Sequence, residues 1–154
     1  MAYEKIEGPK GMLYHYTKKK NVEAILKDER IRRFTDRECW FCTSLENTLR
    51  LMEFTVMQEG KRYYDARGLP QRYPVFVPED YVILELLPRF QNGEWVIWNQ
   101  EFPENTPEEV LKLGEEFSRL KVGYRGDLKF YNGPKVYDVA ELLSKQEQVS
   151  QMIM

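Results

Sequence analysis

Tyr81 to Leu87 is the stretch that most restricts how this chain can fold. Val82-Ile83-Leu84 and Leu86-Leu87 are apolar at consecutive rather than alternating positions, the pattern of a buried strand, so the rest of the chain must cover it. Glu85 interrupts the run, and a lone acid in mid-strand needs a partner or a task. With 154 residues, 42% of them apolar and 14% aromatic, the chain has the material for that cover. A compact domain of this size buries roughly 70% of its extended surface.

The other elements follow from periodicity and turn chemistry. Met12 to Tyr16 is a short apolar-aromatic strand; Val22, Ile25 and Leu26 then mark a helix from Asn21 to Lys27, and the chain extends through Ile31 to Phe34. Glu38 to Thr43 reads as a strand, followed by Ser44 as a helix cap and a stripe of Leu45, Leu49, Met52 and Val56. Glu59 to Pro78, with Gly60, Gly68, Pro70, Pro74 and Pro78, is a long loop of the kind that covers binding sites. Gln91-Asn92-Gly93 is a turn joining the buried strand to a hairpin partner, Glu94 to Asn99. Thr106-Pro107-Glu108-Glu109 is a capping box opening a helix to Leu120, with Val110, Leu113 and Phe117 on one face. Lys129 to Tyr131 and Lys135 to Tyr137 flank Asn132-Gly133 as a second hairpin, its second strand weakened by Pro134. A closing helix runs from Val139 to Gln148, and residues 1–11 and 149–154 are expected to fray. With no repeat or linker, the expectation is one α+β domain over residues 1–154.

Lys and Arg total 23 against 25 Asp and Glu, a net charge of −2, so no global attraction to nucleic acid or anionic membrane is implied. Lys18-Lys19-Lys20 and the group Arg30, Arg32 and Arg33 read first as solvated charge. The polar start, with Glu4, Lys5, Glu7 and Lys10, lacks the apolar core of a signal peptide, and no apolar run approaches about 18 residues. A soluble, cytoplasmic protein is expected, with export by a route that uses no cleaved leader left open. Cys39-Trp40-Phe41-Cys42 invites a redox or zinc role, but too few further ligands exist for zinc, and the helix signal begins only after both cysteines. Residues three apart on a strand face opposite ways, so structural thiols are expected.

His15, the single histidine, sits at a strand end in Tyr14-His15-Tyr16-Thr17. Its imidazole suits both catalysis and ligand hydroxyls. Followed by the helix Asn21 to Lys27, this segment resembles the first motif of the ADP-ribosyltransferase fold, in the branch of diphtheria toxin and the poly(ADP-ribose) polymerases, which runs Tyr/Trp-His-Gly-Ser/Thr into a helix. Cys39-Trp40-Phe41-Cys42-Thr43-Ser44 is similar to the second motif, with Phe41 where the family has its nicotinamide-stacking Tyr. Gly93-Glu94-Trp95-Val96-Ile97-Trp98-Asn99 resembles the third, a strand that opens with a catalytic Glu. The correspondence covers residues 12 to 99 and implies a split antiparallel sheet with short helices.

The resemblance implies NAD as substrate. Tyr14, His15, Tyr16, Thr17, Phe41 and Thr43 would bind it, and His15 and Glu94 would be catalytic. Releasing nicotinamide builds an oxocarbenium-like ribose, which a nearby carboxylate stabilises. Glu94 ranks first for that role, ahead of Glu85 and Glu101. The implied activity is transfer of ADP-ribose to a protein or nucleic-acid acceptor, or NAD hydrolysis. Tyr16 in place of the family's Gly, and Phe41 without a hydroxyl, open a second reading: a catalytically silent binding module on the same fold. A tRNA 2′-phosphotransferase-like reaction would need several Arg converging on phosphates, and Arg30, Arg32, Arg33 and Arg50 are dispersed along the chain. A thioredoxin-like protein built on Cys39 and Cys42 is the remaining alternative.

Overall fold

The structure is a computed structural model describing residues 3–33, 38–64, 67–98 and 102–153. Its centre is β7 (Tyr81–Leu86), which takes β2 (Leu13–Lys18) on one edge and β11 (Lys135–Asp138) on the other, both antiparallel. Alternation sends the two halves of the apolar run into different cores. Val82, Leu84 and Leu86 pack with Leu13, Phe41 and Phe130, whereas Tyr81 and Ile83 pack with Leu49, Met52 and Val139. Glu85 finds its partner at the sheet margin, where the Tyr137 hydroxyl donates to it at 2.9 Å.

A second sheet has the order β1 (Tyr3–Ile6), β8 (Trp95–Trp98), β9 (Val122–Arg125), β4 (Glu38–Phe41), antiparallel throughout. Two small ribbons, β3 (Arg30–Ile31) with β10 (Leu128–Lys129) and β5 (Arg62–Tyr64) with β6 (Pro70–Arg72), complete the strands. The helices are α1 (Val22–Asp28), α2 (Leu45–Phe54), α3 (Glu108–Leu120) and α4 (Val139–Ile153). The described residues therefore form a mixed α and β domain of antiparallel sheets and four α-helices. Among the described residues, no helix is long and apolar enough to cross a membrane.

Ser44 caps α2 as expected, accepting from the Asn47 N–H at 3.1 Å. Several other expectations differ from the structure. Residues 3–6 do not fray: they form β1 against β8, where Tyr3 meets the edge of the Trp98 ring at 4.9 Å. The β7–β8 hairpin does not form, because both edges of β7 are occupied and the connecting segment crosses to the other sheet. There the Gln91 side chain bonds the Lys129 backbone through both its donor and its acceptor, and the Gly93 N–H donates to the Tyr124 hydroxyl at 2.8 Å. Gly93 serves close approach rather than a turn, since a Cβ there would lie 2.1 Å from that hydroxyl. The second hairpin is also absent: β10 pairs with β3, and β11, past Pro134, pairs with β7. Thr106 does not cap α3: the helix begins at Glu108, which puts Pro107 at the cap position, and the Thr106 hydroxyl donates to the Pro103 carbonyl. The segment 59–78 contains the β5–β6 ribbon.

Leu84 is fully buried in the strand on which both cores rest. Leu84→Ala should cost about 2–5 kcal/mol, read as a lower urea midpoint with unchanged slope.

Candidate functional site

Among the described residues, the backbones of the two main sheets join at one bridge, where Tyr14 and Cys42 exchange hydrogen bonds at 2.8 and 2.9 Å. An antiparallel ladder continued from there would pair Tyr16 with Trp40. It does not continue. The Trp40 carbonyl instead meets Nδ1 of His15 at 3.0 Å, and β2 and β4 part beyond it. A cavity of about 580 Å³ occupies the gap, within the range of small-molecule sites. The alternation that aims the Tyr14 N–H and C=O at β4 aims those of Tyr16 at this cavity.

Because a carbonyl only accepts, Nδ1 of His15 must carry the proton, which leaves Nε2 as an acceptor. Desolvation holds the imidazole pKa below its usual 6.5, outweighing the Trp40 hydrogen bond, so the ring is neutral at physiological pH. Thr17 lies beside it with its hydroxyl 3.4 Å from the Asn21 amide. Phe41 packs 5.4 Å from the His15 ring, but at 1% exposure it closes the cavity floor instead of presenting an open face. Tyr16 donates its hydroxyl to Thr55, which itself donates to the Leu51 carbonyl; burial pushes the phenol up to about 12. Tyr14 borders the cavity at the bridge, with Glu85 beside its phenol.

The remaining residues singled out from the sequence stand elsewhere. Thr43 is exposed and does not line the cavity. Glu94 lies on the opposite face of the sheet from Trp95, ion-paired to Lys5 at 3.0 Å and Arg125 at 3.2 Å. Those partners, Lys5 first, hold its carboxyl below the usual range. Glu85 is bonded to Tyr137, and Glu101 falls outside the described residues. The strand flanking β4 is β9 rather than β8, and Lys121, between the end of α3 and the start of β9, lines the cavity. Its ammonium sits 4.5 Å from the Trp40 ring centre and 4.4 Å from that of Phe117. The described residues of the long segment 59–78 do not line the cavity.

Lys18, Arg30, Arg32 and Lys121 give the wall a positive character. Asp28 is the one carboxylate among the described lining residues, and it accepts two hydrogen bonds from Arg32. Cys39 and Cys42 are free and buried, and burial pushes their thiols up to about 12 and about 11, far from a reactive thiolate. Among the described residues, no three His, Cys, Asp or Glu side chains gather to hold a metal. Lys121 was legible only as the residue between the end of a helical stripe at Leu120 and Val122-Gly123-Tyr124. Gly123 is the further signal there, since a Cβ at that position would lie 2.8 Å from the Trp40 ring.

No protein-family model, curated protein or solved structure matches this chain.

The folded-state pKa of His15 lies below 6.5, so on acidification the unfolded chain takes up the proton first. The neutral ring contributes its full stability above 6.5, and that contribution is lost as pH falls through the folded value. Unfolding free energy should therefore fall more between about pH 7 and about pH 5 in the parent protein than in His15→Gln, measured by urea titration at each pH.

Proposed function

We propose that this protein is a nucleotide-binding module of the ADP-ribosyltransferase type, taking NAD or an ADP-ribose-like relative between β2 and β4, with Glu94-dependent glycosyl transfer absent. The observation that carries this reading is the cavity at the parted sheets, lined by a neutral imidazole whose Nε2 is left as an acceptor and by the β2 residues Tyr16 and Thr17. Nε2 of His15 suits a ribose hydroxyl, and the Tyr16 backbone offers a donor and an acceptor for an amide or base edge. Lys18 and Arg30 lie on the wall to meet phosphates.

Transfer chemistry needs a carboxylate close to the developing oxocarbenium ion. Glu94 is held by Lys5 and Arg125 outside the cavity, and Glu85 is held by Tyr137. A macromolecular acceptor, protein or nucleic acid, has no part in this reading. The phosphotransferase-like alternative is less well supported: Asp28 ties Arg32, and Arg50 is bound to Glu53 and Glu116 away from the cavity.

A panel of NAD, NADH and ADP-ribose tests the reading by thermal unfolding. At least one should stabilise the protein, by about 2.7 kcal/mol at a hundredfold excess over its Kd. His15→Ala should abolish the shift and Glu94→Gln should leave it intact. Absence of any shift would refute the proposal, as would nicotinamide release from NAD that Glu94→Gln removes.

A further inference from the structure

We infer that the β5–β6 ribbon is a docking site for single-stranded nucleic acid, with Arg62 and Arg72 on its phosphates and Tyr64 stacked on a base. The strand is a bound partner, not an acceptor of ADP-ribose, and the inference is independent of what the cavity holds. The chain carries a net charge of −2, yet residues 61–77 hold Lys61, Arg62, Arg67 and Arg72 against one acid, Asp65, which falls outside the described residues. Positive charge is thus concentrated on one small element of an otherwise acidic chain.

Register sorts the ribbon into two faces. Arg62 pairs with Arg72, Tyr63 with Gln71 and Tyr64 with Pro70, so alternation puts Arg62, Tyr64, Pro70 and Arg72 on one face and Tyr63, Gln71 and Tyr73 on the other. The tyrosine face is held: Tyr63 and Tyr73 are half-buried and stack at 4.3 Å, and at the base of the ribbon the Gly60 N–H donates to the Tyr73 carbonyl at 2.9 Å. Every residue of the arginine face is exposed, Tyr64 at 70%. Like charges directly opposite one another destabilise an antiparallel pair. Arg62 and Arg72 stand in that relation, and among the described residues neither is ion-paired to a carboxylate; Arg72 donates to the Gly60 carbonyl at 2.9 Å, an uncharged acceptor. Glu59, just before the ribbon, accepts from the Phe76 N–H at 2.7 Å.

An anion laid across the two guanidiniums removes this conflict, and phosphate oxygens match their paired N–H donors. Tyr64, two residues from Arg62 on the same face, adds an open aromatic ring. Bases in a duplex already stack on one another, so such a ring gains a base from a single strand. An acidic peptide would use the arginines and leave the ring idle. An anionic membrane would call for a broad apolar surface, and Pro70 is the one aliphatic residue on that face of the ribbon.

Fluorescence anisotropy with a short labelled oligouridylate should show binding that weakens with salt. Arg62→Gln and Arg72→Gln should each lower the slope of log affinity against log salt by about 0.7. Tyr64→Ala should weaken binding on the order of tenfold, and Tyr64→Phe should keep it. Urea unfolding confirms that each variant is folded; should any fail, ultraviolet cross-linking of the parent protein carries the test, with the oligonucleotide expected on the peptide that contains Tyr64. Saturating ADP-ribose and His15→Ala should leave the oligonucleotide bound. No binding at low salt, binding that the arginine and alanine substitutions leave unchanged, cross-linking confined to other peptides, or displacement by ADP-ribose would overturn the inference. Tighter capture of phosphatidylserine vesicles or of oligoglutamate than of the oligonucleotide would overturn it equally, by assigning the ribbon another partner.

Discussion

One hydrogen bond, from the His15 imidazole to the Trp40 carbonyl, stands where a backbone ladder would otherwise continue. Strands β2 and β4 are bridged at Tyr14 and Cys42, and the next pair would have closed Trp40 onto Tyr16. A buried carbonyl left without a donor costs about 1–3 kcal/mol, so parting two strands requires a substitute donor on one of them. His15 supplies it from a side chain, and the distance it spans is the reason a cavity exists. The same bond fixes the tautomer, so the geometry that opens the site also decides which nitrogen a ligand meets.

The two sheets can part because each is held independently. Strand β7 anchors β2 and β11 between two apolar clusters, one shared with the second sheet and one covered by α2 and α4. The second sheet is held from its own side by Trp95, which packs 4.9 Å from Tyr124 and 6.5 Å from Phe41. Phe41 thus belongs to the floor common to both sheets and to the site.

What could be read from the sequence was what local chemistry determines. The buried run at residues 81–87, the Ser44 cap, the stripe of α2 and the end of α3 at Leu120 all depend on residues close in the chain. Partner choice was not legible. Gly93 and Asn132-Gly133 carry the composition of hairpin turns, yet the side-chain clamp of Gln91 and the crowded edges of β7 redirect both segments to distant strands. For the site, His15, Thr17 and the cavity edge of β4 followed from motif order. Lys121 did not, because its place depends on β9 lying beside β4, a pairing between residues more than 80 apart in the chain.

The parting of β2 from β4 and the nitrogen left to meet a ligand both depend on the state of one ring. Nitrogen-15 NMR of the His15 imidazole at neutral pH, without and with ADP-ribose, tests it most directly. The predicted spectrum has a protonated Nδ1 and an unprotonated Nε2 in the free protein, with the Nε2 resonance moving when ligand is added. A proton on Nε2, a charged ring, or an Nε2 signal indifferent to ligand would contradict it.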